Sequence, residues 1–411
     1  MERSNPLAGS TIYLPFYFVM SCRHFFSVLC SPRGAFPEWP QWCSRDVLPA
    51  LLGRVAIWQL CEIWRLGPGD EILMPAYNCG TEVDPFIVRR CKVTFYRVDE
   101  NARIDFDDIM RRKTPETKVV YVTHYFGWPQ DLGPLLQWCR QRNIRLVEDC
   151  ALALFSSGPD GPLGRESDAA IYSLTKFLPV PDGGLLVLPK GRDPLPALCP
   201  PGLRQTWRRV FPWLKMLAKD KRRFFGLGAI AFHLQRKFQQ KAARHPGLDD
   251  LSDMPADYYF NRKLANAAIT RISLNLLQTV NAGWVVEQRR KNYLYFLQTL
   301  DLSPTEKPLY SSLPDGVCPL VFPLLVQERQ TWMDMLKARG IDAYPWWAGR
   351  HRGCSWDNFP EADHLKQNLL GLPVHQNLSV EQRSLIADTV NWFSRQRREA
   401  PIRPPISNAA N

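Results

Sequence analysis

The chain has 411 residues, 45% of them hydrophobic and 12% aromatic, which excludes disorder as its main state and supplies apolar surface for a sizeable core. With 52 Lys plus Arg against 40 Asp plus Glu, the formal net charge is +12. That balance fits nucleic acid, an anionic membrane or an acidic substrate until the charges are placed. The 11 cysteines, an odd number without a CxxC pair, argue against a disulfide framework or a zinc knuckle and point to a reducing, cytoplasmic compartment.

Residues 1–52 read as an N-terminal arm. The apolar run from Thr11 to Met20 has about half the roughly 20 residues a membrane-crossing helix needs. Pro15 and the aromatic and β-branched content fit an arm or edge strand, with a signal-peptide core as the alternative. From 50 to 190, short apolar runs alternate with helical patterns: EILMP (71–75), KVTFYRV (92–98), KVVYVTH (118–124), IRLVE (144–148), DAAIYS (168–173) and GGLLVL (183–188). One of the intervening helices runs from Leu132 to Arg142. This order predicts an α/β domain with a largely parallel sheet.

After Pro189 the pattern changes. Residues 203–244 form a basic, aromatic stretch at helical spacing, and a helix is expected over 261–295. Strand-like CPLVFPLLV (318–326), a helix to Arg339 and GIDAYPWW then predict a smaller α+β domain over 301–400 behind a large domain over 53–300. The Pro-rich residues 401–411 read as a tail.

Polar residues just past strand ends are where such a sheet binds ligands. Asp149 follows IRLVE, and Lys176 comes three residues after DAAIYS. The pair is either a buried ion pair or the two groups a pyridoxal phosphate enzyme requires: an amine to condense with the cofactor's aldehyde, and an acid to keep its ring protonated as an electron sink.

The blocks GRVAIWQLCEIWRLGPGDEILMPAYNCGTEV, FYRVDENARIDFDDI, TKVVYVTHYFGWPQDLGPL, RLVEDCALAL, SDAAIYSLTKFLPVPDGG, ARGIDAY and LGLPVH, in this order, resemble the sugar aminotransferases of the DegT/DnrJ type. The resemblance implies a fold type I pyridoxal phosphate enzyme, a homodimer with its site at the subunit interface. It implies that Lys176 bonds the cofactor and Asp149 faces its pyridine nitrogen. Gly53, Arg54 and Val55 match the family's phosphate-binding turn at a helix start, and Ser173 is a further candidate for the phosphate. Tyr77 is the candidate for covering the ring, because Cys79 stands at the aromatic position in strict register. Asn261 is the nearest match to the asparagine sent by the partner subunit.

Departures from the family pattern are Arg54 in place of threonine, Ile171 where a serine is usual, and Leu152 where a polar residue contacts cofactor or substrate. The expected substrates are a nucleotide-linked keto sugar and an amino acid, with glutamate as donor, in polysaccharide or glycoconjugate synthesis. Two readings compete: another pyridoxal phosphate reaction on a sugar, such as dehydration, and a non-catalytic scaffold of the same fold. His124 at a strand end is a candidate cofactor contact with a structural reading beside it. His375, Arg350 and Arg352 read first as loop residues.

Between Arg204 and Arg244 there are 12 basic residues and a single acid, Asp220, so most of the net charge sits in this segment. Leu203, Trp207, Val210, Phe211, Leu214 and Leu217 fall at helical spacing among them. Three readings stand: a packing insertion at a subunit interface, a peripheral contact with an anionic membrane surface, and an acidic partner such as nucleic acid.

Overall fold

The computed structural model describes residues 36–219, 259–347, 349–356 and 358–399. The first 35 residues of the expected arm, residues 220–244 of the basic segment and the tail lie outside the described residues.

The central sheet has seven strands: β1 (Arg45–Ala50), β2 (Glu71–Pro75), β3 (Lys92–Tyr96), β4 (Thr117–Thr123), β5 (Arg145–Asp149), β6 (Ala169–Ser173) and β7 (Gly184–Pro189). Their order is β1-β7-β6-β5-β4-β2-β3. The pairs from β3 to β6 are parallel, whereas β7 pairs antiparallel with both β6 and β1. Strand β1 was not anticipated from the sequence. Its RDVLPA contains a proline and only a short apolar run.

Both faces of the sheet are covered, which is why its strands read as continuous apolar runs. On β2, β4 and β5 the residues Ile72, Met74, Val119, Tyr121 and Val147 enter the large core, while Leu73, Val120, Val122 and Leu146 enter a second one against α3 (Phe106–Arg112) and α4 (Gly133–Gln141). The strand period of two therefore sorts side chains to opposite faces. Asp149, two residues after Val147, is on the face of the large core, where α1 (Gly53–Ile63) packs.

In place of one helix over 261–295 there are a 3-10 turn (Arg262–Leu264), α6 (Arg271–Leu277) and α7 (Ala282–Thr299). Thr270 and Asn281 break the run: each accepts a backbone N–H of the helix it precedes, from Ser273 at 3.2 Å and Trp284 at 3.0 Å. Helix α5 (Leu203–Lys219) leads away from β7. Beyond α7, an antiparallel sheet forms from β8 (Lys307–Pro308), β9 (Val321–Leu325), β10 (Tyr344–Pro345) and β11 (Leu369–Pro373), in the order β8-β9-β11-β10. It carries α8 (Arg329–Ala338), α9 (Pro360–Asn368) and α10 (Val380–Glu399). No helix among the described residues is long and apolar enough to cross a membrane.

Candidate active site

Three backbone features converge at the ends of β5 and β6. The first is Asp149, the last residue of β5. It is buried, with one carboxylate oxygen accepting the Tyr121 hydroxyl at 3.0 Å and the other accepting the Ala151 N–H at 2.8 Å. Burial pushes its carboxyl up to about 6, the negative charge of Glu82 pushes the same way, and Lys176 opposes both. Burial also drives the Tyr121 hydroxyl well above its ordinary range, so it stays a neutral donor to Asp149.

The second feature is Lys176. After β6 the chain tightens into a 3-10 turn, Leu174–Lys176, anchored by the fully buried Leu174, whose N–H donates to Gly183 O at 2.9 Å. The turn leaves Lys176 half-buried at the cavity wall.

The third is the start of α1. Its N-cap position is Leu52, which offers no side-chain acceptor, so the positive end of the helix is not neutralised locally. Gly184 lets it approach β7: a Cβ there would lie 2.1 Å from Gly53 N and from Leu52 C.

Together these features bound a cavity of about 300 Å³ whose polar wall includes Gly53, Arg54, Glu82, Asp149, Ser173 and Lys176. Its apolar wall includes Leu152 and Ile171, two of the positions that depart from the family pattern, and Trp346 and Trp347 close it from the side of the second sheet.

Glu82 was missed by the sequence reading. It is buried, accepts the Cys79 N–H at 3.0 Å and the Cys79 thiol at 2.6 Å, and lies 3.4 Å from the Thr81 hydroxyl. Burial and then Glu82 push the Cys79 thiol up to about 12, so it remains a neutral S–H donor. Glu82 lies seven residues beyond the end of β2 at Pro75, whereas Asp149 is itself the last residue of β5, so the strand-end criterion reaches Asp149 and not Glu82.

Other sequence candidates lie elsewhere. Val55 is buried inside α1, its N–H taken by Leu52 O at 3.0 Å. Tyr77 does not line the cavity; it sits behind the wall, its hydroxyl donating to Trp346 O at 3.1 Å and its ring 5.1 Å from that of Trp347. His124 is on the opposite side of β5: its Nε2 is 2.8 Å from Glu148, and its Nδ1 accepts the Gln130 N–H at 3.0 Å. Those two bonds assign it the structural reading. Asn261 accepts the Lys263 N–H at 3.0 Å as a helix cap, away from the cavity. His375, Arg350 and Arg352 do not line it either.

Residues 54–207 match the model of the DegT/DnrJ/EryC1/StrS aminotransferase family. A stretch of 136 residues is 30% identical to dTDP-4-dehydro-2,3,6-trideoxy-D-glucose 4-aminotransferase of Saccharopolyspora spinosa, a match spanning 32% of this chain and 35% of that protein. The fold extends the likeness. PseC of Helicobacter pylori, an aminotransferase involved in the biosynthesis of pseudoaminic acid, superposes with a TM-score of 0.67 over 94% of this chain and 100% of that one, at 14% identity. The aminotransferase TlmJ of Streptoalloteichus hindustanus gives 0.62 over 86% and 87%, at 21% identity. Over residues 54–207 the chain therefore resembles the DegT/DnrJ/EryC1/StrS aminotransferase family, and its fold is that of solved aminotransferases.

Proposed function

We propose that the chain is a pyridoxal phosphate-dependent aminotransferase. It takes an amino group from an amino acid, glutamate being the expected donor, and transfers it to a keto sugar carried on a nucleotide. The observation that carries the reading is Asp149 and Lys176 facing one cavity whose third wall is an uncapped helix start. Both residues fall inside the family-matched region.

The residues present fit the cofactor. Lys176 offers the amine that bonds it, Asp149 a carboxylate for its pyridine nitrogen, and Gly53, Arg54 and Ser173 an anion site for its phosphate. When bound, the cofactor supplies an electron sink for the carbanion left at the substrate carbon. The protein does the rest. Asp149 holds a proton at the ring nitrogen, and the Tyr121 hydroxyl and Ala151 N–H fix its carboxylate in place. Lys176, once its amine is free, moves the proton at the reacting carbon. The tryptophans on the second-sheet side exclude water. Leu152 contributes no hydrogen bond, so recognition of the sugar falls to the remaining polar wall.

The chain works as a homodimer in polysaccharide or glycoconjugate synthesis in this reading. Purified protein incubated with pyridoxal phosphate should acquire the visible absorbance of a lysine-bound cofactor, and Lys176→Ala should lose it along with all transfer of labelled amino nitrogen to nucleotide keto sugars. A colourless wild type would sink the assignment. Colour without nitrogen transfer would favour dehydration.

A further inference from the structure

Lys366, near the C-terminal end of α9, is a fully buried lysine outside the machinery described above. Among the described residues no carboxylate forms an ion pair with it. Its Nζ donates to three backbone carbonyls: Asn78 at 2.6 Å, Gly349 at 3.1 Å and Trp347 at 3.4 Å. The first acceptor belongs to the loop after β2, which carries Cys79, Thr81 and Glu82 into the cavity. The other two belong to the segment after β10, which carries Trp346 and Trp347 into it. The Asn78 backbone is itself fixed, because its side chain donates to Pro75 O at 2.8 Å and accepts the Gly80 N–H at 3.0 Å.

We propose that Lys366 is a positioning residue that latches the Cys79–Glu82 wall of the cavity to its tryptophan wall, and that the latch is complete only while the side chain is an ammonium. The donor count carries the second half. An ammonium has three N–H donors for three carbonyls, and a neutral amine has two. Loss of the proton therefore strands one buried carbonyl, with the 3.4 Å contact to Trp347 the first to go.

The surroundings bring that event into the working range. Burial lowers the Lys366 amine to about 8. Facing it are Tyr77, Cys79 and Glu82 from the loop after β2, Arg350 from the segment after β10 and Asp363 from its own helix. Glu82 and Asp363 favour the charged form, and Arg350 opposes it. The Tyr77 and Trp356 rings lie 5.9 and 5.5 Å from Nζ and favour the cation as well.

The latch follows from the geometry alone, while its effect on cofactor rests on the aminotransferase reading, so the test has two arms. In the first, tryptophan fluorescence of the cofactor-free full chain is followed from about pH 6.5 to about pH 9.5. A step near pH 8 is expected in the wild type and should be absent from Lys366→Met and Lys366→Arg. In the second, pyridoxal phosphate affinity is measured at about pH 7 and about pH 9. Wild-type affinity should fall about 5-fold or more between them, Lys366→Met should match the weaker value at both, and Lys366→Arg should show no fall. A wild type without a fluorescence step would overturn the latch, as would a step that persists in both variants. So would wild-type cofactor affinity in Lys366→Met at the lower pH. A step in the first arm with no cofactor bound at either pH would support the latch and overturn the aminotransferase reading; the wild-type pH series stands even where a variant fails to fold.

Discussion

A carboxyl group pushed up to about 6 at the end of β5 costs the cofactor-free protein stability at neutral pH. The native pKa of Asp149 lies above its unfolded value of 3.8, so the native state holds the proton longer. Stability therefore falls as pH rises from about 4 to about 6 and stays lower above that. A shift of roughly two pKa units corresponds to about 3 kcal/mol. Asp149→Asn should thus unfold at higher urea than the wild type at pH 7, by up to about 3 kcal/mol, with little difference near pH 4, while amino transfer falls by about 100-fold or more. An equal gain at both pH values would assign the effect to packing instead. The same residue shows how far the site was legible. Asp149 and Lys176 were found because strand ends are where a sheet presents chemistry, but that rule ignores which face a residue takes. His124 met the same criterion, yet it bonds Glu148, which alternation along β5 places on the face opposite Asp149. Glu82 was hidden because its importance comes from its closeness to Asp149 across strands, and spacing along the chain does not encode that.

At the level of elements, the strands of the central sheet were readable because burial on both faces makes them apolar throughout. The break between α6 and α7 was not, because helical periodicity persists across it and only the caps Thr270 and Asn281 mark it. The start of α1 depends on a residue distant in sequence. Gly184→Ala should force Leu52 and Gly53 away from β7, since the new Cβ would meet backbone atoms at 2.1 Å. A loss of about 3 kcal/mol or more in urea unfolding is expected, with weakened phosphate binding; wild-type values would show that the helix start has room to shift. Helix α5 raises a different question. Leu203, Trp207 and Phe211 are exposed at successive four-residue steps, and Arg204 and Arg208 are exposed between them. That ridge supports the proposal of a peripheral contact with anionic lipid. Co-flotation with phosphatidylserine vesicles should be salt-sensitive and should drop about 10-fold in a Leu203→Ser, Trp207→Ser, Phe211→Ser variant. Unchanged flotation would remove the ridge from the membrane, and a change in subunit mass instead would make it an interface between copies.

On the scale of the whole molecule, charge buried on backbone joins the two sheets alongside the ion pairs Arg97–Glu361 and His351–Asp84. Arg289 of α7 is 1% exposed. Its guanidinium donates to Leu320 O at 3.0 Å and Pro319 O at 3.3 Å next to the second sheet, to Gln376 at 2.9 Å after β11, and to Phe177 O at 3.3 Å beside Lys176. One side chain thus ties the residue after Lys176 to the sheet that bears the tryptophan wall. From sequence it was one of many arginines, because nothing in RRKNY distinguishes a buried guanidinium from a solvated one. Arg289→Met keeps much of the apolar bulk against the Phe177 ring but leaves buried acceptors without donors, so a loss of about 3 to 5 kcal/mol is expected. Its neighbour supplies the control. Arg290 donates to Pro314 O at 2.7 Å and Val317 O at 2.8 Å, but its side chain is 22% exposed and water can replace it. Arg290→Met should therefore cost only about 1 kcal/mol. The measurement is urea unfolding with and without pyridoxal phosphate. If Arg289 joins the sheets through Phe177, its variant should also lose most of the stabilisation the cofactor gives the wild type, while Arg290→Met should keep it. Equal costs for the two substitutions, or full cofactor stabilisation in Arg289→Met, would mean that Lys176 is held by its own 3-10 turn without help from α7.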